Sequence, residues 1–147
     1  MTNANYINKI VAFYPYDGKE MDDNSKNHVP NFYLNYTNYP INANVAFYIA
    51  FAGVKLNDRR ISIHLTISCD DGTTKVDTVF NLDTYTFGQK NIIKELDINS
   101  GTFSLSPGAF PVDKGIHCYT ATAIFKDSHG LIWDTAKTWF LTKPLAE

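Results

Sequence analysis

Residues 61–69 alternate without a break: Ile61, Ile63, Leu65, Ile67 and Cys69 fall on one side, Ser62, His64, Thr66 and Ser68 on the other. An extended backbone sends successive side chains to opposite faces, so only a strand gathers those five apolar residues on one surface. The segment predicts a half-buried strand with a wet outer face, and its dry face needs a second layer. Asp70, Asp71 and Gly72 supply turn chemistry, and residues 74–82 continue as a second strand with Val76, Thr78 and Phe80 opposed to Lys75, Asp77 and Val79.

The last third carries the same signal. Residues 116–125 and 131–141 are rich in Val, Ile, Thr, Tyr, Phe and Trp, and they flank a turn with Asp127 and Gly130. They predict a long antiparallel hairpin, with His117, Tyr119, Ala121, Ala123 and Phe125 facing inward. In its second strand Trp133 and Trp139 share parity with Lys137, while Phe140 shares it with Asp134; a β-bulge between the tryptophans reconciles the two ends. Residues 45–53 differ, because Val45, Phe47, Ile49 and Phe51 form one apolar face and Ala46, Tyr48, Ala50 and Ala52 form another. Neither face suits water, so the second one needs a cover. Residues 6–13 and 31–37 have strand character and are the nearest candidates, with residues 19–28 a polar loop between them; a second copy of the chain is the alternative. Between 83 and 106 the pattern supports one short element, since Ile92, Ile93 and Leu96 fit a helical turn as well as a strand, followed by a strand at 102–106.

These patterns predict an all-β chain folded as an antiparallel β-sandwich with an additional N-terminal strand segment. A length of 147 residues suits one domain, with residues 1–40 packing on a sandwich body at 41–142 and a tail at 143–147. Aromatic residues make up 14% of the chain, which favours strands over disorder. The formal net charge is −2 and the basic residues are scattered apart from Arg59 and Arg60, so no basic stripe is available to track nucleic-acid phosphates. No stretch approaches the ~18 apolar residues of a membrane helix, and the first residues lack the basic and apolar regions of a signal peptide. The expected location is cytoplasmic, or secreted if a signal peptide has been removed. In a cytosolic chain Cys69 and Cys118 are expected to be reduced thiols.

With the strands in this order, residues 45–142 resemble an immunoglobulin-like sandwich: 45–53 and 61–69 first, 74–82 next, and 116–125 with 131–141 as the closing hairpin. The resemblance implies two packed antiparallel sheets. It is a likeness of architecture, shared with small stand-alone sandwiches of bacterial and phage genomes. Antibody-type domains place a Tyr two residues before the second Cys and a Trp between the cysteines. Here Ile116 stands two residues before Cys118 and both tryptophans follow it, so the antibody-type pattern is not met.

No catalytic motif is present: no Gly-x-Ser-x-Gly, no His-Glu-x-x-His, no Cys-x-x-Cys and no phosphate-cradling glycine loop. Two groups of residues carry possible chemistry. Asp70, Asp71, Asp127 and His129 would converge at one end of the resembled sandwich if residues 61–69 and 116–125 ran in the same direction. Three carboxylates and an imidazole would then suit a cation such as calcium or magnesium, although Asp and Gly are also the ordinary residues of reversals. Tyr14, Tyr16, Tyr33, Tyr36 and Tyr39 form the second group, as apolar bodies with polar tips that suit a binding surface or pack over the Ala-rich face of 45–53. His64 is expected to be solvated and His117 to be a hydrogen-bonded boundary residue.

The expected function is a small non-catalytic binding or assembly module, such as a bacterial or phage accessory protein, acting through protein–protein recognition. No cofactor, nucleic-acid or membrane role is expected, and a homodimer is compatible with the sequence. The alternatives are a cation-dependent enzyme using the loop carboxylates and a secreted carbohydrate-binding domain using the tyrosines.

Overall fold

A computed structural model describes residues 6–21, 28–55, 60–87 and 91–145. Strands take 63% of the described residues and no α-helix occurs among them, so the all-β class holds. The strands are β1 (Lys9–Asp17), β2 (Tyr33–Tyr36), β3 (Asn42–Ala43), β4 (Val45–Lys55), β5 (Arg60–Cys69), β6 (Thr74–Asp83), β7 (Ile98–Leu105), β8 (Phe110–Pro111), β9 (His117–Lys126) and β10 (Ile132–Pro144). One sheet has the order β1-β4-β7, and a second, curled into a half-barrel, has the order β2-β10-β9-β5-β6; β3 and β8 form a short ladder of their own. Every pairing in the two main sheets is antiparallel except that of β10 with β2, which is parallel. No helix among the described residues is long and apolar enough to cross a membrane.

The core lies between the sheets, where period-2 alternation places it. Ile61, Ile63, Leu65, Ile67 and Cys69 of β5 are all buried, as are Tyr119, Ala121, Ala123 and Phe125 of β9 and Phe47, Ile49 and Phe51 of β4. Small β9 residues leave room for rings: Phe51 packs on Phe125 with centroids 4.6 Å apart, and Tyr119 stacks on Phe140 at 5.2 Å. Offset and tilted contacts of this kind add to the burial of large rings.

Three sequence expectations meet the fold in different ways. The register of β10 against β9 shifts between Ile132 and Asp134, so a bulge is present, but at Trp133 and not between the two tryptophans as expected. Trp133 therefore turns inward onto Phe125 at 5.1 Å while Phe140 remains buried and Trp139 points out. The Asp134 carboxylate accepts a 2.8 Å hydrogen bond from the Ile10 backbone N–H, at an irregularity in β1 between Ile10 and Ala12.

Residues 6–17 do serve β4, but β1 lies beside it as a paired strand and not over its second face. At the Ala46 and Tyr48 end of that face the β1 tyrosines lie alongside and His28 packs on them. Tyr14 stacks on Tyr48 at 5.1 Å and donates its hydroxyl to the His28 carbonyl at 2.8 Å, and Tyr16 stacks on the His28 ring at 4.4 Å. Ala50 and Ala52 are only half-buried.

Strand β7 begins at Ile98, four residues before the expected strand. Asn99, Ser100 and Gly101 read as turn formers, yet Gly101 is there because the Phe87 ring lies on its backbone; a Cβ would meet that ring at 2.4 Å. Phe87 in turn stacks on Phe51 at 5.9 Å, so this contact seals one end of the core.

Candidate functional site

Strands β5 and β9 are antiparallel neighbours, with Cys69 opposite Tyr119 and Ser62 opposite Lys126. This corrects the expected convergence of Asp70, Asp71, Asp127 and His129, which required the two strands to run the same way. Asp70 and Asp71 follow the end of β5 and so meet the start of β9. Asp127 and His129 follow the end of β9 and lie at the opposite end of the sheet, beside the start of β5. Asp127 acts there as a turn residue, accepting backbone N–H bonds from His129 at 2.8 Å and Leu131 at 2.9 Å.

The residues that do gather around Asp70 and Asp71 are Cys69, Lys75, Asp113, His117 and Tyr119. Asp70 exchanges backbone with β9, its N–H donating to the Cys118 carbonyl at 2.9 Å while its Oδ2 accepts from the Cys118 N–H at 2.9 Å. Its Oδ1 lies 2.7 Å from His117 Nδ1 and accepts from the Cys69 thiol at 3.4 Å. The Cys118 N–H bond, followed by the His117 contact, holds the Asp70 carboxyl down to about 2. His117 Nε2 lies 2.9 Å from the Lys114 carbonyl. Both partners of the imidazole are acceptors, so both ring nitrogens donate in the fully bonded state, and the Asp70 contact raises the His117 pKa above its ordinary value. His117 is thus the hydrogen-bonded boundary residue expected.

Cys69 faces inward at 5% exposure, and burial pushes its thiol up to about 11. Cys118 faces outward on the neighbouring strand, so the two thiols project to opposite sides of the sheet and both are free. Lys75 pairs with Asp113 Oδ1 at 2.9 Å, which raises the lysine pKa. The Asp113 N–H donates to the Tyr119 hydroxyl at 2.9 Å, and Asp113 Oδ2 is buried without a hydrogen-bond partner. Asp71 accepts from the N–H and hydroxyl of Thr73 at 2.9 and 2.6 Å, which lowers its pKa. Cys69, Asp70 and His117 offer ligand atoms within 4.8 Å of one another, and so do Cys69, Asp71 and Asp113.

The five tyrosines separate into two groups. Tyr14 and Tyr16 stand beside β4 as cross-strand neighbours of Tyr48 and Ala46, and Tyr36 is buried with its hydroxyl accepting from the Gly115 N–H at 3.0 Å, so these three hold the fold together. Tyr33 at 61% exposure and Tyr39 at 48% remain available at the surface. Tyr39 leans on Tyr36, whereas Tyr33 joins a larger outward surface.

That surface is the outer face of the five-stranded sheet, where β10 presents Lys137, Trp139, Leu141 and Lys143 at alternate positions. Leu141 stands opposite Tyr33 of β2 and Cys118 of β9, and Trp139 stands opposite Thr120. Trp139 is 43% exposed and is held by Phe32 at 5.1 Å and Tyr33 at 6.4 Å. Tyr33, Asn35, Ile116, Leu141 and Lys143 line a shallow depression beside it, with Ile116 65% exposed. Away from β10 the face carries Ser62, His64, Thr66 and Ser68 along β5, with Val79 and Ile124 on either side of His64 and Thr122 opposite Thr66. His64 forms a 2.5 Å pair with Asp77 there and is not simply solvated.

Sequence reasoning passed over this row because the parity conflict at Trp133 hid the alternation from 137 to 143. It also passed over Asp113, Lys75 and Tyr119, which reach the Asp70 turn only through tertiary pairing. No family model and no curated protein matches this chain.

Proposed function

We propose that this chain is a non-catalytic recognition module of immunoglobulin-like architecture, which binds a protein partner through the outer face of β10 and β2. The architecture is supported by the strand order of the two sheets and by the parallel pairing of β2 with β10. It is further supported by Tyr119 near the start of β9, whose hydroxyl bonds the backbone six residues upstream at Asp113, as the tyrosine corner of such domains does. On that alignment Tyr119, not a residue two before Cys118, takes the tyrosine position, and Ala121 stands where antibody-type domains carry the second cysteine.

The observation that carries the functional reading is Trp139. A tryptophan on a sheet face, braced by Phe32 and Tyr33 and flanked by Leu141 and Ile116, presents large apolar area with little rotamer freedom left to lose on binding. Lys137 and Lys143 bracket it, and among the described residues neither has a carboxylate partner. The complementary partner is therefore a protein surface with an apolar centre and an acidic rim. Ile116 and Leu141 favour protein over a sugar, because branched aliphatic groups give nothing to carbohydrate hydroxyls.

The test is a paired affinity capture from cells that make the protein, using the wild-type chain and Trp139→Ala at matched folding. The reading expects a stoichiometric protein partner retained by the wild type and lost by the variant, with Lys143→Glu weakening capture most at low salt. Identical capture by the wild type and Trp139→Ala would overturn it.

A further inference from the structure

At the opposite margin of β9 from its hairpin turn, three unlike donors close on one point. Asp70 Oδ1 is approached by His117 Nδ1 at 2.7 Å and by Cys69 Sγ at 3.4 Å. The far atom of each polar ligand is tied to backbone: Asp70 Oδ2 to the Cys118 N–H at 2.9 Å, and His117 Nε2 to the Lys114 carbonyl at 2.9 Å. This is the arrangement by which proteins aim metal ligands, with an imidazole donating its second N–H to a carbonyl and a carboxylate fixed through its other oxygen. The atoms left pointing inward are one sulfur, one nitrogen and one oxygen. In the metal-free chain they are held together by protons shared from the thiol and the imidazole to the carboxylate.

We propose that Cys69, Asp70 and His117 form a zinc site, with Sγ, Oδ1 and Nδ1 as ligands. The mixed donor set selects a borderline-soft ion over calcium or magnesium, which take oxygen. Donors on a tetrahedral zinc ion stand roughly 3.4–3.7 Å apart. Sγ and Oδ1 already hold 3.4 Å, and the imidazole needs to withdraw by no more than about 1 Å from its 2.7 Å contact. The local charge also favours a cation: Asp70, Asp71 and Asp113 surround the point, and Lys75 neutralises only Asp113. Asp71 and Asp113 share Cys69 as a neighbour and supply the remaining coordination position directly or through water, and the buried Asp113 Oδ2 lacks any other partner. On binding, the Cys69 thiol proton and the proton between His117 and Asp70 pass to solvent as the sulfur and nitrogen take up the ion.

The experiment is titration of the purified full-length chain with cobalt(II) as a spectroscopic stand-in, followed by displacement with zinc. The proposal expects one ion per chain, a sulfur-to-cobalt charge-transfer band and its bleaching by equimolar zinc. Calcium and magnesium should displace nothing. Cys69→Ser should remove the charge-transfer band, and His117→Gln should weaken zinc binding by more than about tenfold, since the loss of a partner that only supports a ligand already costs about that much. A wild-type chain that binds cobalt or zinc without a thiolate band, or that binds neither, overturns the proposal without reference to any variant. A band that survives unchanged in Cys69→Ser overturns it as well.

Discussion

Truncation of Leu65 to Ala probes the packing that holds the two sheets together. Leu65 sits mid-way along β5, is 0% exposed and faces Thr78 on β6 and Ala123 on β9 across the ladder. Three buried carbon groups are removed, worth about 2.4 kcal/mol at roughly 0.8 kcal/mol each. Ala123 is too short to fill the gap and the Leu65 backbone is paired on both sides, so the cavity persists and the cost rises into the range of about 3–5 kcal/mol. With a urea slope of about 2 kcal/mol per molar, the unfolding midpoint should fall by roughly 1.5–2.5 M at an unchanged slope. His64→Ala is the control one residue away. It removes a half-exposed pair with Asp77 on the outer face and should cost under about 1 kcal/mol. Equal losses in the two variants, or an unmoved midpoint for Leu65→Ala, would refute the assignment of faces on β5.

Four further outcomes follow from the same structure. Gly53→Ala should abolish or severely impair folding, because φ at Gly53 is +66° and a Cβ would fall 1.6 Å from the Tyr6 carbonyl oxygen; a soluble variant with native near-UV circular dichroism contradicts this. Tyr119→Phe should cost about 1–3 kcal/mol in urea unfolding by stranding the Asp113 N–H, while Tyr33→Phe should cost almost nothing. Thiol titration of the unfolded chain should count two free thiols under non-reducing conditions, and a single disulfide in its mass would refute the opposite-facing placement of Cys69 and Cys118. Removing residues 1–40 should cause aggregation, since it strips β1 from β4 and β2 from β10 and leaves two apolar strand edges open; a folded, monomeric product is the opposing result.

What was legible in the chain was whatever depended on period 2. The faces of β5 and β9 follow directly from alternation, and the presence of a bulge in β10 follows from its failure. The end of the molecule at which Asp70 sits was not legible, because it depends on whether β5 and β9 run parallel or antiparallel, and alternation is the same in both cases. The consequence was large: His117 became the neighbour of Asp70 and Asp113 that of Asp71, in place of Asp127 and His129. The length of β7 was hidden for a different reason. Gly101 reads as a turn former in isolation, and only the Phe87 ring above it explains a glycine inside a strand. The exposure of the tyrosines was set in the same way by packing, with Tyr16 drawn under His28 and Tyr33 left on the surface. The aliphatic and cationic members of the outer row, Ile116, Leu141, Lys137 and Lys143, carry no motif at all; their significance is that one sheet face brings them around Trp139.

The central claim is that this outer row is the recognition surface, and site-directed photocrosslinking in the producing cells tests it most directly. A photoreactive residue placed at Lys137 or Lys143 lies on the row, whereas one at Val79, exposed at the β6 end of the same sheet, serves as the control. The account predicts a discrete crosslinked protein from both β10 positions, abolished by Trp139→Ala, and none from Val79. Crosslinking from Val79 alone, or identical products from all three positions, would contradict it.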